Sequence, residues 1–427
     1  MHLGFQVTVF EAKRHVGGRA FTDVLDGYRI DTGAQLVGSM YGRFLGLVAE
    51  LGLSDRLHRV PGRDALWRGG KVHEVVLGSV ASMIASGGLP FSTKMRMGAT
   101  YAPFLARNVE ALNLHFPERA AEAGFDSESI AAWGEREIDS TFIRSLVYPQ
   151  LAAYYGSLPG ETSAGFYHIL ARYGMDVRLF AMERGIGEVA ERLAELIRAA
   201  GGEVRCDREV NRIELFEAGK RVGIEATGGS EQFDGAVAAV PAPTLVGLLQ
   251  GAPAALTEWL EPLFCRPALA VALLLDSPTP AKYFGLSFPE GENNHLSTIC
   301  VEENKYPGLV PEGKGLVILL PLAEAAPALI ELDSRAIVDR LLAEATKALP
   351  DLGKRVLRAR VYRWEMGAPV FYPGYLRHLA HFREVDVEGD LPLALAGDFL
   401  HTSSVEGSTI SGERAAERLN RRLAKEG

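Results

Sequence analysis

Hydrophobic and polar positions follow two different patterns along the 427-residue chain. Alternating apolar and polar positions, which are typical of strands, occur near both ends and between residues 203 and 240. Amphipathic helices accompany them, as in residues 188–202, where the helical pattern ends at two glycines. A buried strand is predicted over residues 391–399 and a closing helix over residues 407–423. These parts of the chain therefore predict α/β structure.

The remaining parts of the chain have other patterns. Residues 76–173 show long helical periodicities and almost no alternation. Residues 265–325 contain strand candidates between Pro and Gly turns, and residues 334–349 form a capped amphipathic helix. Because the two kinds of pattern alternate, we predict two interleaved domains. One is an α/β domain from residues 1–75, 176–250 and 386–427, and the other is an α+β domain from residues 76–175 and 251–385.

Composition narrows the class of protein. With 47% hydrophobic and 23% charged residues, the chain can bury a large core. The net charge of −9 is spread without a long run of Lys and Arg, so we expect no nucleic-acid partner. No apolar run reaches the roughly 18 residues that cross a bilayer, and Cys206, Cys265 and Cys300 lack metal or disulfide-scaffold spacing. We therefore expect a cytoplasmic protein, with peripheral membrane contact left open.

The first predicted strand, residues 6–10, leads into the string EAKRHVGGR. In dinucleotide-binding folds an acidic residue ends the second strand, about 20 residues after a Gly-rich turn, and binds a ribose. Glu11 stands in such a position, and the glycines before Arg19 allow backbone amides to approach a pyrophosphate. The string resembles the second half of the FAD fingerprint of the flavin amine oxidase superfamily, which includes amine oxidases, protoporphyrinogen oxidases and carotenoid desaturases.

This resemblance implies that the α/β domain is a Rossmann-like FAD-binding domain and that the other domain binds substrate. In the N-terminal part the implied FAD-binding residues are Glu11, Ala12, Arg14, Gly17, Gly18, Arg19, Gly33, Ala34 and Gln35, the last three beside the flavin ring. A residue matching Val210 contacts the adenine through its backbone. In the C-terminal string GDFLHTSSVEG, the resemblance implies roles for Gly397, Asp398, Val405 and Glu406. Asp398 matches a ligand of the ribityl chain, and the helix opened by Val405 turns its positive end to the ring.

The sequence departs from the family at its start. The Gly-rich turn G-x-G-x-x-G, which seats the pyrophosphate on a helix N-terminus, would precede Met1 and does not occur in this sequence. We favour the interpretation that the coding start was placed too far downstream, since nothing later in the chain looks degenerate. The competing hypothesis is a noncatalytic flavoprotein fragment.

Substrate specificity has weaker signals. The segment RWEMGAPVFYPGY, residues 363–375, matches a family segment near the flavin, and its pocket candidates are Trp364, Tyr372 and Tyr375. It contains no Cys that could link to the flavin, so FAD is predicted to be noncovalent. An aromatic cage residue of monoamine oxidases falls at Ser404, which disfavours an amine.

The chain looks most like protoporphyrinogen or coproporphyrinogen oxidases, so we predict hydride transfer from a large apolar substrate, with oxygen or another acceptor reoxidising the flavin. A carotenoid desaturase or an amine oxidase stays an alternative.

A metal centre is not predicted. His378 and His381 lie three positions apart and could share a helix face, but no carboxylate or Cys motif accompanies them.

Overall fold

The computed structural model describes residues 4–216, 221–385 and 387–424, and it shows a mixed α/β protein. The strands in chain order are β1 (Thr8–Phe10), β2 (Thr22–Leu25), β3 (Tyr28–Asp31), β4 (Val37–Gly38), β5 (Leu57–Arg59), β6 (Arg63–Arg68), β7 (Lys71–Val76), β8 (Leu179–Met182), β9 (Glu203–Arg205), β10 (Val210–Phe216), β11 (Arg221–Ala226), β12 (Gly229–Phe233), β13 (Ala236–Ala238), β14 (Leu249–Gln250), β15 (Cys265–Leu275), β16 (Gly285–Ser287), β17 (Leu296–Val301), β18 (Gly315–Pro321), β19 (Val356–Pro369) and β20 (Leu393–Leu395).

Helices occupy the intervals between these strands. The α-helices are α1 (Gly42–Glu50), α2 (Val80–Ala85), α3 (Phe91–Arg96), α4 (Ala102–Arg107), α5 (Arg119–Glu122), α6 (Ile130–Glu137), α7 (Ser140–Phe142), α8 (Tyr148–Tyr155), α9 (Ala164–Gly174), α10 (Glu188–Ala199), α11 (Ala242–Leu248), α12 (Ala254–Leu260), α13 (Glu302–Lys305), α14 (Ala326–Ile330), α15 (Ser334–Ala345), α16 (Leu352–Arg355), α17 (Tyr375–Glu384) and α18 (Val405–Leu423). The π-helical turns Met97–Tyr101 and Ile143–Val147 join α3 to α4 and α7 to α8.

Two parallel strand pairs form the part of the molecule contributed by the chain ends. Strand β1 pairs with β9, and β13 pairs with β20. Helix α10 contacts β9, and α18 contacts β20 and β13, so each pair carries a helix, as expected for βαβ structure. A four-stranded sheet in the order β12-β11-β10-β14 adjoins them. The predicted α/β structure of these segments is confirmed.

The other large element is a seven-stranded sheet in the order β19-β15-β18-β17-β16-β6-β7. One face, which we call the outer face, packs on α15 through apolar residues that include Ala65, Leu286 and Ile299. On the opposite, inner face, Cys300 and Ile318 pack with Ile30 of the β2–β3 hairpin. Strands β6 and β7 belong to this sheet, so the predicted domain boundary at residue 75 falls within it. The domain division itself stays a prediction.

The helical character predicted for residues 76–173 is confirmed by α2 to α9. Side chains of these helices form a core around Trp133, Phe142 and Phe166. Ser129 and Ser163 begin two of the helices by accepting bonds from amides three positions later, at 3.2 and 3.4 Å. Helix α8 contacts β16, β17 and β18. The helical segment therefore covers the inner face of the sheet.

Candidate functional site

Segments from the two ends of the chain meet at an ion pair between Arg19 and Asp398. The guanidinium donates two hydrogen bonds of 2.9 Å to the carboxylate and a third of 3.0 Å to the carbonyl of Gly367. Burial alone lowers the pKa of Arg19, but the Asp398 carboxylate raises it above its ordinary value. Bidentate contacts of this kind fix orientation as well as distance. The structure thus brings the predicted segments 17–19 and 397–398 together.

Residues 31–35 run beside the turn that contains Arg19. The amide of Ala34 donates to the carbonyl of Arg19 at 2.9 Å. A β-carbon at Gly33 would lie 2.2 Å from that same carbonyl oxygen, so only glycine allows the two backbones to approach so closely. On the other side, the indole Nε1 of Trp364 donates to the carbonyl of Thr32 at 3.0 Å. The segment predicted to pass the flavin is therefore held from both sides.

Glu11 and Val210 lie on neighbouring backbone segments, as the proposed adenosine site requires. The carbonyl of Glu11 accepts a 2.9 Å hydrogen bond from the amide of Arg208, two positions before β10 begins. The Glu11 carboxylate accepts a 2.8 Å bond from the amide of Lys13. Arg14 extends into solvent with 89% of its side chain exposed, and it pairs with Asp207 at 3.7 Å. Ala12 is also exposed, so Glu11 has the more favourable placement for a ligand contact.

The N-terminus of α18 faces the same region. Ser404 caps the helix by accepting a 3.1 Å hydrogen bond from the amide of Gly407. The amides of Val405 and Glu406 come before any carbonyl of the same helix that could accept from them. Val405 packs in one apolar cluster with Ala20 and Ala34. A positive helix end therefore lies next to the segments 17–20 and 33–35.

The side chain of Glu406 caps a second helix, α1. It is fully buried, and its carboxylate accepts hydrogen bonds from the amides of Arg43 at 3.0 Å and Phe44 at 2.7 Å. These amides belong to the first turn of α1, where donors lack intrahelical partners. Glu406 thus connects α18 to α1, and any contact it makes with a cofactor comes from its backbone.

The three aromatic pocket candidates occupy different environments. Tyr375 is fully buried, and its hydroxyl donates to the carbonyl of Phe399 at 2.8 Å. Tyr372 is half-buried, with its ring centroid 5.2 Å from that of Tyr375. Trp364 lines an open groove of about 290 Å³ together with Lys13, whose ammonium lies 4.9 Å from the ring centroid. The structure therefore places Tyr375 in the core, where its hydroxyl holds the backbone at Phe399, next to Asp398.

Tyr41, Tyr154 and Tyr155 form a group of tyrosines that the sequence analysis did not identify. Tyr41 lies near Tyr155 of α8 and near Ser404, the residue that caps α18. Burial first, then the Glu406 charge, raises the pKa of Tyr41 to about 12. The neighbouring Tyr154 keeps 43% of its surface accessible, yet burial raises its pKa well above the ordinary value. Tyr154 thus has protein around it while part of its surface stays accessible. The tyrosine pair at the end of α8 was the available sequence signal.

A buried charge cluster connects residues 31–35 to the seven-stranded sheet. The Lys305 ammonium, which is 0% exposed, contacts Asp31 at 2.9 Å and Glu302 at 2.5 Å, and it lies 3.5 Å from the carbonyl of Gln35. Burial lowers the pKa of Lys305, but the two carboxylates outweigh it and the pKa is raised. Asp31 also accepts hydrogen bonds from Thr22 at 2.7 Å and from the amide of Ile186 at 3.0 Å. The sequence analysis did not predict this cluster.

Of the two histidines considered for metal binding, His378 is bonded to the backbone of Trp259. His378 Nε2 lies 2.8 Å from the carbonyl of Trp259, and the Trp259 indole donates to the carbonyl of His378 at 3.0 Å. In the part of the chain that the structure describes, no group of three or more His, Cys, Asp or Glu side chains could hold a metal ion. Within the same residues, no helix is long and apolar enough to cross a bilayer.

The chemistry of these segments fits a flavin. Reduced flavin carries negative charge on its pyrimidine edge, which a positive helix end and free amides at Val405 and Glu406 stabilise. The carboxylate of Asp398 is fixed beside Arg19, whose carbonyl accepts a hydrogen bond from the amide of Ala34. These residues would hold the ring and the adjoining ribityl chain.

Comparisons with known proteins identify the family of the chain. The sequence model of the family described as flavin containing amine oxidoreductase matches residues 1–420. The coproporphyrinogen III oxidase of Mycobacterium leprae (strain TN) is 25% identical over 445 residues, which cover 98% of this chain and 93% of that protein. The coproporphyrinogen III oxidase of Bacillus subtilis (strain 168) is 22% identical over 442 residues, which cover 96% and 89%.

Solved structures show the same fold. A protein provisionally assigned as a protoporphyrinogen oxidase, from Exiguobacterium sp. 255-15, superposes with a TM-score of 0.75 at 18% identity, covering 97% of this chain and 93% of that one. Cyclohexylamine oxidase from Brevibacterium oxydans IH-35A gives a TM-score of 0.75 at 18% identity, covering 99% and 95%. The chain belongs to the family of flavin-containing amine oxidoreductases and is a flavin-dependent oxidoreductase.

Proposed function

We propose that this chain binds FAD noncovalently between residues 17–19, residues 33–35 and the N-terminus of α18. The Arg19–Asp398 ion pair supports this proposal because it joins the two predicted cofactor segments at 2.9 Å, although they lie 379 positions apart in the chain. The adenosine part of FAD is assigned to Glu11 and Val210. Their backbone segments are joined by the hydrogen bond between Glu11 and Arg208.

The state of Cys265 supports noncovalent binding. The thiol of Cys265 is electrostatically coupled to Arg19 and Asp398. Burial raises the pKa of this thiol to about 12, so it stays protonated at neutral pH. Since the thiolate is the nucleophilic form of cysteine, attachment to the flavin is disfavoured. Cys206 and Cys300 are free as well, which is consistent with the proposed cytoplasmic location.

The proposed reaction is dehydrogenation of a carbon–hydrogen bond. A bound flavin supplies acceptance of the hydride, and oxygen or another electron acceptor is proposed to reoxidise it. The residues of the chain position the flavin and exclude water. Trp364 and Lys305 hold residues 31–35 by hydrogen bonds from the side of the substrate-domain sheet. Tyr41, Tyr154 and Tyr155 are proposed to line the substrate side of the flavin.

The proposed substrate is a porphyrinogen such as coproporphyrinogen III. The observation that carries this choice is the match of almost the whole chain to proteins named coproporphyrinogen III oxidase. The neighbouring rings of Tyr41, Tyr154 and Tyr155 would offer faces to a large cyclic molecule. An amine is disfavoured because Ser404, whose hydroxyl accepts a hydrogen bond from the amide of Gly407, presents no aromatic face.

Absorption of the purified protein at roughly 450 nm tests flavin binding. We expect a yellow protein that releases all its flavin, identified as FAD, on acid denaturation. Flavin that stays with the precipitate would overturn noncovalent attachment. A colourless protein that takes up no added FAD would favour the noncatalytic fragment.

Anaerobic bleaching of the bound flavin tests the reaction. We expect bleaching by coproporphyrinogen III, and none by phytoene or cyclohexylamine. Bleaching by phytoene or cyclohexylamine alone would reject the porphyrinogen assignment and leave flavin binding intact. The Arg335→Lys variant is the control, because this side chain is 91% exposed, lies outside the proposed site and should not alter either measurement.

A further inference from the structure

Two short helices that follow β7, an edge strand of the seven-stranded sheet, present apolar side chains to solvent. Val80 and Ile84 lie four positions apart in α2, and Phe91 and Met95 lie four positions apart in α3, so each pair shares one face of its helix. Ile84 is 61% exposed and Phe91 is 75% exposed. Val76, at the end of β7, is exposed as well. We call these five residues the α2–α3 patch.

The surroundings of the patch contain little polar surface. Residues 76–99 include twelve exposed positions, of which ten are apolar residues or glycine, one is a serine and one is an arginine. Large apolar side chains are common on a protein surface one at a time, but a contiguous group of them marks an interaction site. The α2–α3 patch therefore has the composition of an interaction surface.

Both helices are fixed to the rest of the protein. The Lys94 ammonium of α3 donates to the carbonyl of Ile84, at 2.7 Å, and to that of Ser86, which joins the end of α2 to α3. On the opposite side of α3 the buried Thr93 donates to Asp139, the residue that caps α7, at 3.0 Å. The patch is thus a preformed surface, which loses little conformational entropy when it binds a partner.

The charged residues of this part of the chain have one sign. Residues 75–109 contain no Asp or Glu, although these make up 54 of the 427 residues of a chain whose net charge is −9. The same stretch contains Lys94, Arg96 and Arg107. Arg96 is exposed, and the carboxylate that it approaches, that of Asp139, lies 3.9 Å away. A surface that is apolar and basic is complementary to a bilayer that contains anionic lipids.

We propose that the α2–α3 patch binds the surface of a bilayer containing anionic phospholipids. The apolar side chains enter the boundary between headgroups and acyl chains, and Arg96 contacts the lipid phosphates. A second copy of the chain fits the patch less well, because a symmetric dimer would place this surface against itself. The basic residues of 75–109 would then meet each other and no carboxylate from that stretch. The inference concerns attachment alone and does not depend on the proposed cofactor or substrate.

The experiment is co-sedimentation of the full chain, with FAD added, with lipid vesicles. Vesicles of phosphatidylcholine and phosphatidylglycerol in equal amounts form one arm, and vesicles of phosphatidylcholine alone form the other. We expect binding to the mixed vesicles and at least about fivefold weaker binding to the neutral ones, because each basic residue at an anionic surface contributes about that factor. Salt at about 0.5 M should reduce the difference between the two arms.

Substitutions in the patch test its role directly. Ile84→Ser and Phe91→Ser should each weaken binding to the mixed vesicles at least about tenfold, because each removes an apolar side chain that the bilayer would bury. Leu357→Ser is the matched control, since Leu357 is also 61% exposed and lies on β19, at the opposite edge of the sheet from β7. Ser92→Glu, at an exposed position in the first turn of α3, favours the helix but should weaken binding about fivefold. This variant separates loss of binding from loss of folding.

Several outcomes would overturn the inference. Wild-type protein that stays in the supernatant with both kinds of vesicle would show that the patch binds no lipid surface, and equal binding to both kinds would remove the role of charge. Equal weakening by Ile84→Ser and Leu357→Ser would show that the patch is not the site of attachment. A wild-type dimer, seen by light scattering without vesicles and converted to a monomer by Phe91→Ser, would assign the patch to a second copy. Since these measurements follow attachment and not turnover, their failure leaves the proposed function intact.

Discussion

The cluster of Lys305, Asp31 and Glu302 offers a test in which two substitutions in one buried site have opposite effects. Replacing Lys305 by Met keeps the volume and removes the only cation that contacts the two carboxylates in the described residues. Asp31 keeps its hydrogen bonds from Thr22 and Ile186. Glu302 has no such support, since its two oxygens lack other partners in the structure. The variant therefore leaves an unpaired buried acid.

The size of the effect follows from the burial. Removing one partner of a buried ion pair costs about 3–5 kcal/mol, and Lys305 and Glu302 are both 0% exposed. We expect Lys305→Met to lower the free energy of unfolding by that amount. Glu302→Gln should be neutral or stabilising, because it keeps the Lys305–Asp31 pair and removes the second buried negative charge. Burial raises the pKa of Glu302 above its ordinary value of 4.5, so the benefit of Glu302→Gln grows as the pH increases and disappears below pH 4.5.

Urea unfolding of the FAD-reconstituted protein at pH 5 and pH 8, followed by tryptophan fluorescence, measures both effects. Lys282→Met is the control, because this lysine lies on the surface of the same domain. A Lys305→Met variant within about 1 kcal/mol of the wild type would contradict the assumed strength of the cluster. Equal destabilisation by Lys305→Met and Glu302→Gln would show that the cluster acts through packing and not through charge.

Three further predictions concern other parts of the site. Arg19→Lys cannot reproduce the bidentate contact with Asp398, so we expect the Kd for FAD to rise at least about tenfold, while Arg335→Lys, at an exposed side chain outside the proposed site, leaves it unchanged; equal Kd values would contradict a role of the ion pair. Asp64→Asn should stabilise the protein at pH 8 by up to about 4 kcal/mol, because the carboxyl pKa is raised to about 7 and the cost of ionising it is present only above its unfolded value; the gain should vanish near pH 4, and a gain independent of pH in urea unfolding would refute the charge argument. Gly33→Ala places a β-carbon 2.2 Å from a carbonyl oxygen, so we expect loss of the roughly 450 nm absorbance and destabilisation by about 2 kcal/mol or more; normal flavin content would show that the backbone yields.

The sequence by itself predicted most helices and strands. It also indicated that segments near the two ends of the chain bind one cofactor. Periodicity predicted α10 and α18, and alternation predicted the β11–β12 hairpin, because an amphipathic element repeats its burial at its own period. The strings around Gly17 and Asp398 identified two parts of one proposed site. Each of these signals lies in a short stretch of sequence, so it can be identified without knowledge of the fold.

Only the tertiary structure decided what individual side chains contact. Tyr375 and Trp364 lie in one motif, yet one is buried behind the site and the other faces an open groove, because residues of one motif point in different directions. Glu406 opens a helix in the sequence and caps a second helix in space. The burial of the Asp64 carboxyl results from the strand register that places Gly285 beside it. Contacts of this kind depend on strand order and on which element covers a sheet face, and a single sequence encodes both only through the complete fold.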